Sequence, residues 1–365
     1  MVKRILLSGG GTGGHVFPAI AIAKELQRRD SNRAFLFVGA SNRMEMEKVP
    51  EAGYKIVGLW ISGFQRSMSL KNLLFPLKLK MSILKSFFII LRFKPDVVIG
   101  TGGFASGPIL WVATLLKIPT LIQEQNSYPG ITNKILASRV NKICVAYPGL
   151  ERFFPKDKIE VTGNPIRSEI EFDLPTKEES LHSYGFEKNK TTVLVIGGSL
   201  GSKKINETIL ENSSWFTENN VQLIWQTGSL YYDKCKIAEP ELGLNGKISA
   251  FISDMPKAFV AADVVISRAG AIAIAELCSL GKTCILIPSP NVAEDHQKKN
   301  ALALVAADAA VIVEEKSIKT SLFNKLEMVL KNSEKQQLLA ANCKSMGKAK
   351  AAQKIADIIE NLINA

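Results

Sequence analysis

Only three of the 365 residues are histidine, and the five cysteines (144, 235, 278, 284, 343) form no C-x-x-C pair. An odd, unpatterned set of thiols argues against a disulfide framework or a zinc ribbon and for reduced cysteines. There is no D-x-D motif and no histidine pair at ligand spacing, so no metal clamp for a diphosphate is visible. No glycine-lysine-serine/threonine sequence follows a strand-like run, which removes the Walker loop. The chain passes from Met1-Val2-Lys3-Arg4 through three apolar residues into glycines, too short for a signal-peptide core. Low-complexity segments are missing as well, and 46% hydrophobic with 22% charged residues is a globular composition. At this length two domains of ordinary size are expected.

Acidic residues are missing from one long stretch. Ala52 to Pro95 holds none, whereas Lys55, Arg66, Lys71, Lys78, Lys80, Lys85, Arg92 and Lys94 fall there, a local share of the net charge of +12. A basic chain first suggests nucleic acid. Here, however, the charges are interleaved with Leu73, Leu74, Phe75, Leu77, Leu84, Phe87, Phe88, Ile89 and Ile90. Lys71, Lys78, Lys85 and Arg92 recur every seven residues, one helix face drifting by only ~20° per repeat. Pro76 is expected to interrupt that helix, which then runs from about Lys78. Such a stripe suits an anionic membrane surface better than a nucleic-acid groove. Val97 to Leu116 carries no charge over twenty residues, which formally reaches membrane-spanning length. Its central G-T-G-G-F-A-S-G-P would break a spanning helix, so a buried strand, a glycine loop and a buried helix are expected instead.

What the chain does have is a strand–helix alternation that runs twice. Apolar runs at Ile5–Leu7, Ala34–Val38, Lys55–Gly58, Val97–Ile99, Thr120–Ile122, Lys142–Val145 and Ile159–Val161 read as strands. Helical patterns over Ala19–Arg29, Ser69–Phe93 and Pro108–Leu116 lie between some of them. After Gly163-Asn164-Pro165 and a polar connection (Glu169–Lys190), strands resume at Val193–Ile196, Gln222–Trp225, Ile248–Phe251, Val264–Ile266, Cys284–Ile287 and Ala310–Val313. The α/β class follows: two doubly wound parallel sheets facing a ligand cleft. The expected domains are residues 1–163 and 164–345, with a final helix in 346–365 packing back on the first.

Four glycine turns each follow a strand and precede a helix: GGGTGGH (9–15), TGGFASGP (101–108), GGSLGS (197–202) and RAGAIAIAE (268–276). Backbone N–H groups at such turns and the helix ends behind them favour phosphate. The first turn also contains G-x-G-x-x-G, the dinucleotide fingerprint. Its required acid is missing, because the second strand ends Phe37-Val38-Gly39-Ala40-Ser41, and a nicotinamide enzyme is therefore disfavoured. Glu276 lies in the helix opened by the last turn, where it would hold a ribose diol, or be a solvated helix residue or a first-turn partner of the helix dipole. Ser199 and backbone donors would meet leaving-group charge in place of a metal. His15, on the first turn, is the candidate general base.

Taken in order, GGGTGGHVFPA, TGGFASGP, QEQNSYPGITNK (123–134), GNPIR (163–167), GGSLGS, SRAGA…E and EDHQKKNA (294–301) closely resemble the MurG family of glycosyltransferases in peptidoglycan synthesis. The resemblance spans nearly the whole chain. It implies a GT-B fold of two Rossmann-like domains and an inverting transfer needing no cofactor or metal. N-acetylglucosamine would move from UDP-N-acetylglucosamine to the 4-hydroxyl of the muramyl sugar of lipid I, giving lipid II. The implied site is at the cytoplasmic face of the cell membrane, peripheral, with cell-wall synthesis machinery as a possible partner and no nucleic acid. By motif position, Thr12, Gly13, Gly14 and Asn126 would lie near the donor sugar, and Gln297 would meet its hydroxyls. Arg167 and the backbone of Ile252 would meet the uracil, Ser199 the diphosphate, the turn from Gly270 and Ala271 the phosphates, and Glu276 the ribose. Gly102, Gly103 and Ser106 would face the acceptor diphosphate. Leu200, Ala273 and Ala275 depart from the family's usual polar residues, so only backbone contacts carry over there. Two other readings remain at this point: a UDP-N-acetylglucosamine 2-epimerase of the same fold, and a non-enzymatic, membrane-attached binder of nucleotides or lipid diphosphates.

Overall fold

Short leucine-, isoleucine- and valine-rich runs become strands covered on both faces, and helices supply the cover. The computed structural model describes residues 2–63, 74–292 and 295–364. Seven strands make one sheet: β1 (Arg4–Ser8), β2 (Ala34–Ala40), β3 (Ile56–Leu59), β4 (Val97–Gly100), β5 (Thr120–Glu124), β6 (Lys142–Val145) and β7 (Ile159–Val161). Their order is β3-β2-β1-β4-β5-β6-β7. A second sheet holds β8 (Thr192–Ile196), β9 (Gln222–Gln226), β10 (Gly246–Ser249), β11 (Val264–Ser267), β12 (Thr283–Leu286) and β13 (Val311–Ile312), in the order β10-β9-β8-β11-β12-β13. Every pairing in both sheets is parallel. Both orders are doubly wound, with the winding reversing between β1 and β4 and between β8 and β11.

The chain divides into two compact units, Met1–Ser168 with Lys348–Ala365, and Glu169–Gly347. In the first unit the two-residue period sorts the core. Ile5, Leu7, Phe37, Val97, Ile99 and Leu121 pack on one face of the sheet with α1 (Gly13–Arg29) and the last helix, Ala351–Asn364. Leu6, Val38, Val98 and Ile122 pack on the other with Ile90, Ile109 and Leu110. Each fully buried aliphatic side chain contributes about 1.5–3 kcal/mol. The last helix brings Ile355 and Ile359 to that core, and its Asp357 and Glu360 accept from Arg29 Nη1 at 2.7 and 2.9 Å.

Several elements differ from expectation. The helix expected over Ala19–Arg29 begins at Gly13, so Pro18 lies inside it and His15 lies in its first turn, not on a free loop. Two glycines disfavour a helix intrinsically. Here tertiary anchors override that preference, since Thr101 Oγ1 donates to the His15 carbonyl at 2.6 Å and Val16 and Ala19 are buried. A short helix, α2 (Glu45–Glu51), follows β2. Pro76 does not interrupt the next helix, α3 (Phe75–Phe93), but sits in its first turn, where a missing N–H costs nothing. The part of that expected helix before Leu74, including Lys71, lies outside the described residues. The uncharged stretch 97–116 resolves into β4 and α4 (Ser106–Leu115), both largely buried. Among the described residues no helix is long and apolar enough to cross a membrane.

Candidate active site

The four glycine turns sit in pairs at the two reversal points. In the first unit, turn 9–15 leaves β1 and turn 101–105 leaves the adjacent β4. They interlock at backbone distance: Gly10 N–H donates to the Gly102 carbonyl at 3.4 Å. A Cβ on Gly103, whose φ is +80°, would lie 2.2 Å from the Gly10 carbonyl oxygen. Ser106, fully buried at the start of α4, donates its hydroxyl to the Gly103 carbonyl at 2.9 Å. Its side chain thus braces the turn. Gly14 is different, since it is exposed and a Cβ there would meet nothing closer than Thr12 Oγ1 at 3.7 Å. The protein does not demand glycine at that position, whereas a ligand approaching the helix start would.

His15 is half-buried against these turns. Its Nδ1 lies 3.0 Å from Gln125 Oε1, and Gln125 Nε2 donates to the Thr101 carbonyl at 2.7 Å. Gln125 follows β5. The next residue, Asn126, is held by Glu124, which accepts from its backbone N–H at 3.0 Å and its Nδ2 at 3.3 Å. Glu124 also accepts from Gly130 N–H and from Asn133 Nδ2, so α5 (Ile131–Leu136) and the Asn126 loop hang from one buried carboxylate. Arg167 stacks its guanidinium 5.1 Å from the Phe17 ring centroid, on the α1 side of this unit.

An acid does serve the first glycine loop, although not at the end of β2. Fully buried Glu45, opening α2, accepts from Gly11 N–H at 3.1 Å and from Ala40 N–H at 2.9 Å. Its carboxylate faces backbone donors of the loop, not a ribose. The dinucleotide reading fails on geometry as well, because the Gly11 N–H is already occupied.

In the second unit, GGSLGS leaves β8 and S-R-A-G-A leaves the neighbouring β11. Gly270 caps the helix Ala271–Leu280 at an ordinary φ of −70°, and a Cβ on it would meet nothing within 4 Å. Open space beside a helix N-terminus is what a phosphate needs. Glu276, on the same helix, is buried, and so is not the solvated helix carboxylate that was one expectation for it. Ser199 is half-buried, whereas Leu200 is 63% exposed. The Ile252 N–H donates to Gln226 Oε1 at 2.9 Å, leaving its carbonyl as the group able to meet a base. Gln297 Oε1 accepts from Ser289 N–H at 2.9 Å, so its Nε2 is the end turned to other partners.

Arg268 escaped the sequence reading. Its guanidinium donates to Ser202 Oγ at 2.6 Å, to Glu315, and to the carbonyls of Ile287 and Pro288 at 3.2 Å. It ties the loops after β8, β11 and β12 together and is spent on structure. Only its place in S-R-A-G-A could have flagged it. All five cysteines are free and buried, and burial raises the Cys235 thiol to about 11. Among the described residues no three His, Cys, Asp or Glu side chains cluster to hold a metal.

Two segments of the chain, each holding one pair of glycine turns, match family descriptions. Residues 5–145 match the glycosyltransferase family 28 N-terminal domain, and residues 192–360 match the family 28 C-terminal domain. The chain belongs to glycosyltransferase family 28. It is 50% identical over 361 residues to the UDP-N-acetylglucosamine--N-acetylmuramyl-(pentapeptide) pyrophosphoryl-undecaprenol N-acetylglucosamine transferase of Flavobacterium psychrophilum, covering 99% of this chain and 98% of that one. The crystal structure of Acinetobacter baumannii MurG superposes with a TM-score of 0.74 at 27% identity, covering 98% of this chain and 99% of that one. A UDP-GlcNAc 2-epimerase from Neisseria meningitidis, bound to UDP-GlcNAc, is similar in fold at 16% identity (TM-score 0.67, covering 98% and 100%). The chain has the GT-B fold, with two Rossmann-like halves. The C-terminal family match runs to residue 360, past the point where the last helix joins the first unit.

Proposed function

We propose that this family 28 glycosyltransferase moves N-acetylglucosamine from UDP-N-acetylglucosamine to the 4-hydroxyl of the muramyl sugar of an undecaprenyl diphosphate-linked muramyl-pentapeptide, with inversion. The observation that carries the reading is His15 at the crossing of the first two glycine turns, together with 50% identity across the full chain to a transferase of that name. The acceptor oxygen forms its bond to the sugar's C1 as the bond from C1 to the UDP oxygen breaks. The electron pair leaves with the β-phosphate, and the hydroxyl proton passes to His15. General-base help of this kind is worth about 10²–10⁴-fold.

In this reading the second unit holds the nucleotide. Backbone donors of the GGSLGS turn, Ser199 and the start of the helix Ala271–Leu280 receive the diphosphate charge. Glu276 takes the ribose, the Ile252 carbonyl the uracil, and Gln297 the sugar. Thr12, Gly13, Gly14 and Asn126 attend the transferred sugar, and backbone donors at Gly102, Gly103 and Ser106 the acceptor diphosphate.

A lipid-linked acceptor requires a membrane face, and α3 supports one. It buries Ser82, Ser86 and Ile90 while Leu77, Met81, Leu84, Phe88 and Leu91, at alternating spacings of four and three, stand 47–60% exposed. That is the reverse of a helix covering a core. Lys80 and Arg92 are exposed beside the stripe, whereas Lys78 Nζ reaches Ser62 Oγ at 3.2 Å and Lys85 Nζ the Gly58 carbonyl at 2.7 Å. The two lysines flank the apolar stripe from behind. Attachment is peripheral, through α3, to the cytoplasmic leaflet where such acceptors present their sugar.

The epimerase and the non-enzymatic binder are separated from this reading by one pair of incubations. With UDP-N-acetylglucosamine alone the sugar should remain unaltered, and adding a short-chain acceptor analogue should release UDP. Conversion of the sugar without acceptor would indicate an epimerase, and absence of both reactions a binder.

A further inference from the structure

The buried amides behind His15 form a chain with a single polarity. Asn164, after β7, donates its Nδ2 to the Gln125 backbone carbonyl at 3.0 Å, which leaves its Oδ1 to accept from Gln123 Nε2 at 3.0 Å. Gln123 Oε1 is thereby turned toward Gln125, whose Nε2 donates to it, to the Thr101 carbonyl at 2.7 Å and to the Gln123 carbonyl at 3.2 Å. Flipping the Gln125 amide would set its oxygen against three acceptor oxygens. Gln125 Oε1 is therefore the atom 3.0 Å from His15 Nδ1. An amide oxygen only accepts, so Nδ1 carries the proton. A neutral imidazole protonated there has its lone pair on Nε2. Gln123, Gln125 and Asn164 are all buried, so water does not readily replace any link.

We propose that Gln125 is a positioning residue for the transfer, holding His15 as the Nδ1–H tautomer so that Nε2 accepts the proton of the attacking hydroxyl. The proposal rests on the reading of His15 as the base and adds what makes it one. Without Gln125 the ring can protonate at Nε2, where it donates instead of accepting. The two glutamines of Q-E-Q-N and the asparagine of G-N-P thereby acquire a shared role: Asn164 sets Gln123, Gln123 sets Gln125, and Gln125 sets the imidazole.

The test uses the full chain with ¹⁵N-labelled histidine, at a pH where imidazole is neutral. His15, His182 and His296 are the only histidines, so single substitutions of the other two assign the His15 resonances. Two-bond ¹H–¹⁵N couplings should show the proton on Nδ1. In Gln125→Met that preference should be lost, with turnover falling about ten-fold or more, inside the range a general base supplies. The KM for UDP-N-acetylglucosamine should stay within about two-fold, and in a His15→Ala background the same substitution should change turnover by less than about two-fold. A wild-type spectrum with the proton on Nε2 overturns the proposal and needs no variant to fold. So does an equal loss from Gln125→Met in both backgrounds, which would mark a merely structural role. If His15→Ala leaves turnover intact, the base reading falls and takes the proposal with it. If His15→Ala lowers turnover and Gln125→Met does not, only the proposal falls.

Discussion

Glu45 shows how much of the first glycine loop depends on a single buried side chain. Its buried carboxylate satisfies N–H groups from two segments, Gly11 in the glycine loop and Ala40 at the end of β2. Asn42, at a φ of +61°, lets the chain double back to deliver it, and the start of α2 favours the negative charge. Glu45→Gln would place an NH₂ group against one of those N–H donors. It should lower the unfolding free energy by about 1–3 kcal/mol. The exposed Glu47→Gln should change it by less than about 0.5 kcal/mol. Denaturant unfolding measures both, and equal midpoints for Glu45→Gln and wild type would contradict the anchor. Nothing in the sequence distinguishes Glu45 from Glu47, because the contact depends on a turn whose path is set by neighbouring strands. His15 was legible, since a rare residue type interrupts a glycine run. Its partner Gln125 was not, lying 110 residues away just beyond the end of β5.

Among the elements, α1 and the last helix form the clearest unit of stability. Burial by itself would raise the Glu25 carboxyl, but hydrogen bonds from Arg28 at 2.9 Å and Arg29 at 2.8 Å outweigh it and hold its pKa below the ordinary value. A carboxyl with a depressed folded pKa stabilises the fold above its unfolded pKa, and that contribution is lost as pH falls through the folded value. The gap in unfolding free energy between wild type and Glu25→Gln should therefore be widest near neutrality and shrink on acidification below about 4. A gap independent of pH would contradict this. The α3 helix marks the limit of what pattern can tell. The seven-residue recurrence of basic residues was visible, but apolar residues lie on every side of it. Only packing against β3 and α4 shows that the serines turn inward and the stripe through Phe88 turns outward. Vesicle flotation should register that stripe. Phe88→Glu should weaken binding to vesicles containing anionic lipid by about ten-fold or more, as expected from about 1.5–3 kcal/mol for one buried aromatic. Undiminished binding would remove α3 from the membrane face.

For the whole molecule, the two parallel sheets were readable because each strand is a short apolar run bounded by glycine or a polar turn, and because the pattern restarts after residue 190. Strand order was not readable from the runs themselves. It follows from the doubly wound topology, which places all four glycine turns at the two reversal points. That placement underlies the reading of the second unit as the nucleotide holder and of the first as the home of the base. Group transfer to a lipid-linked sugar unites these features. The most direct measurement incubates the protein with UDP-N-acetylglucosamine and a short-chain lipid-linked muramyl-pentapeptide in the presence of chelator, then reads product mass and anomeric configuration. One added N-acetylglucosamine in β linkage is expected, formed at an undiminished rate with chelator. An α-linked product, a rate abolished by chelator, or no sugar added to the acceptor would contradict metal-independent inverting transfer.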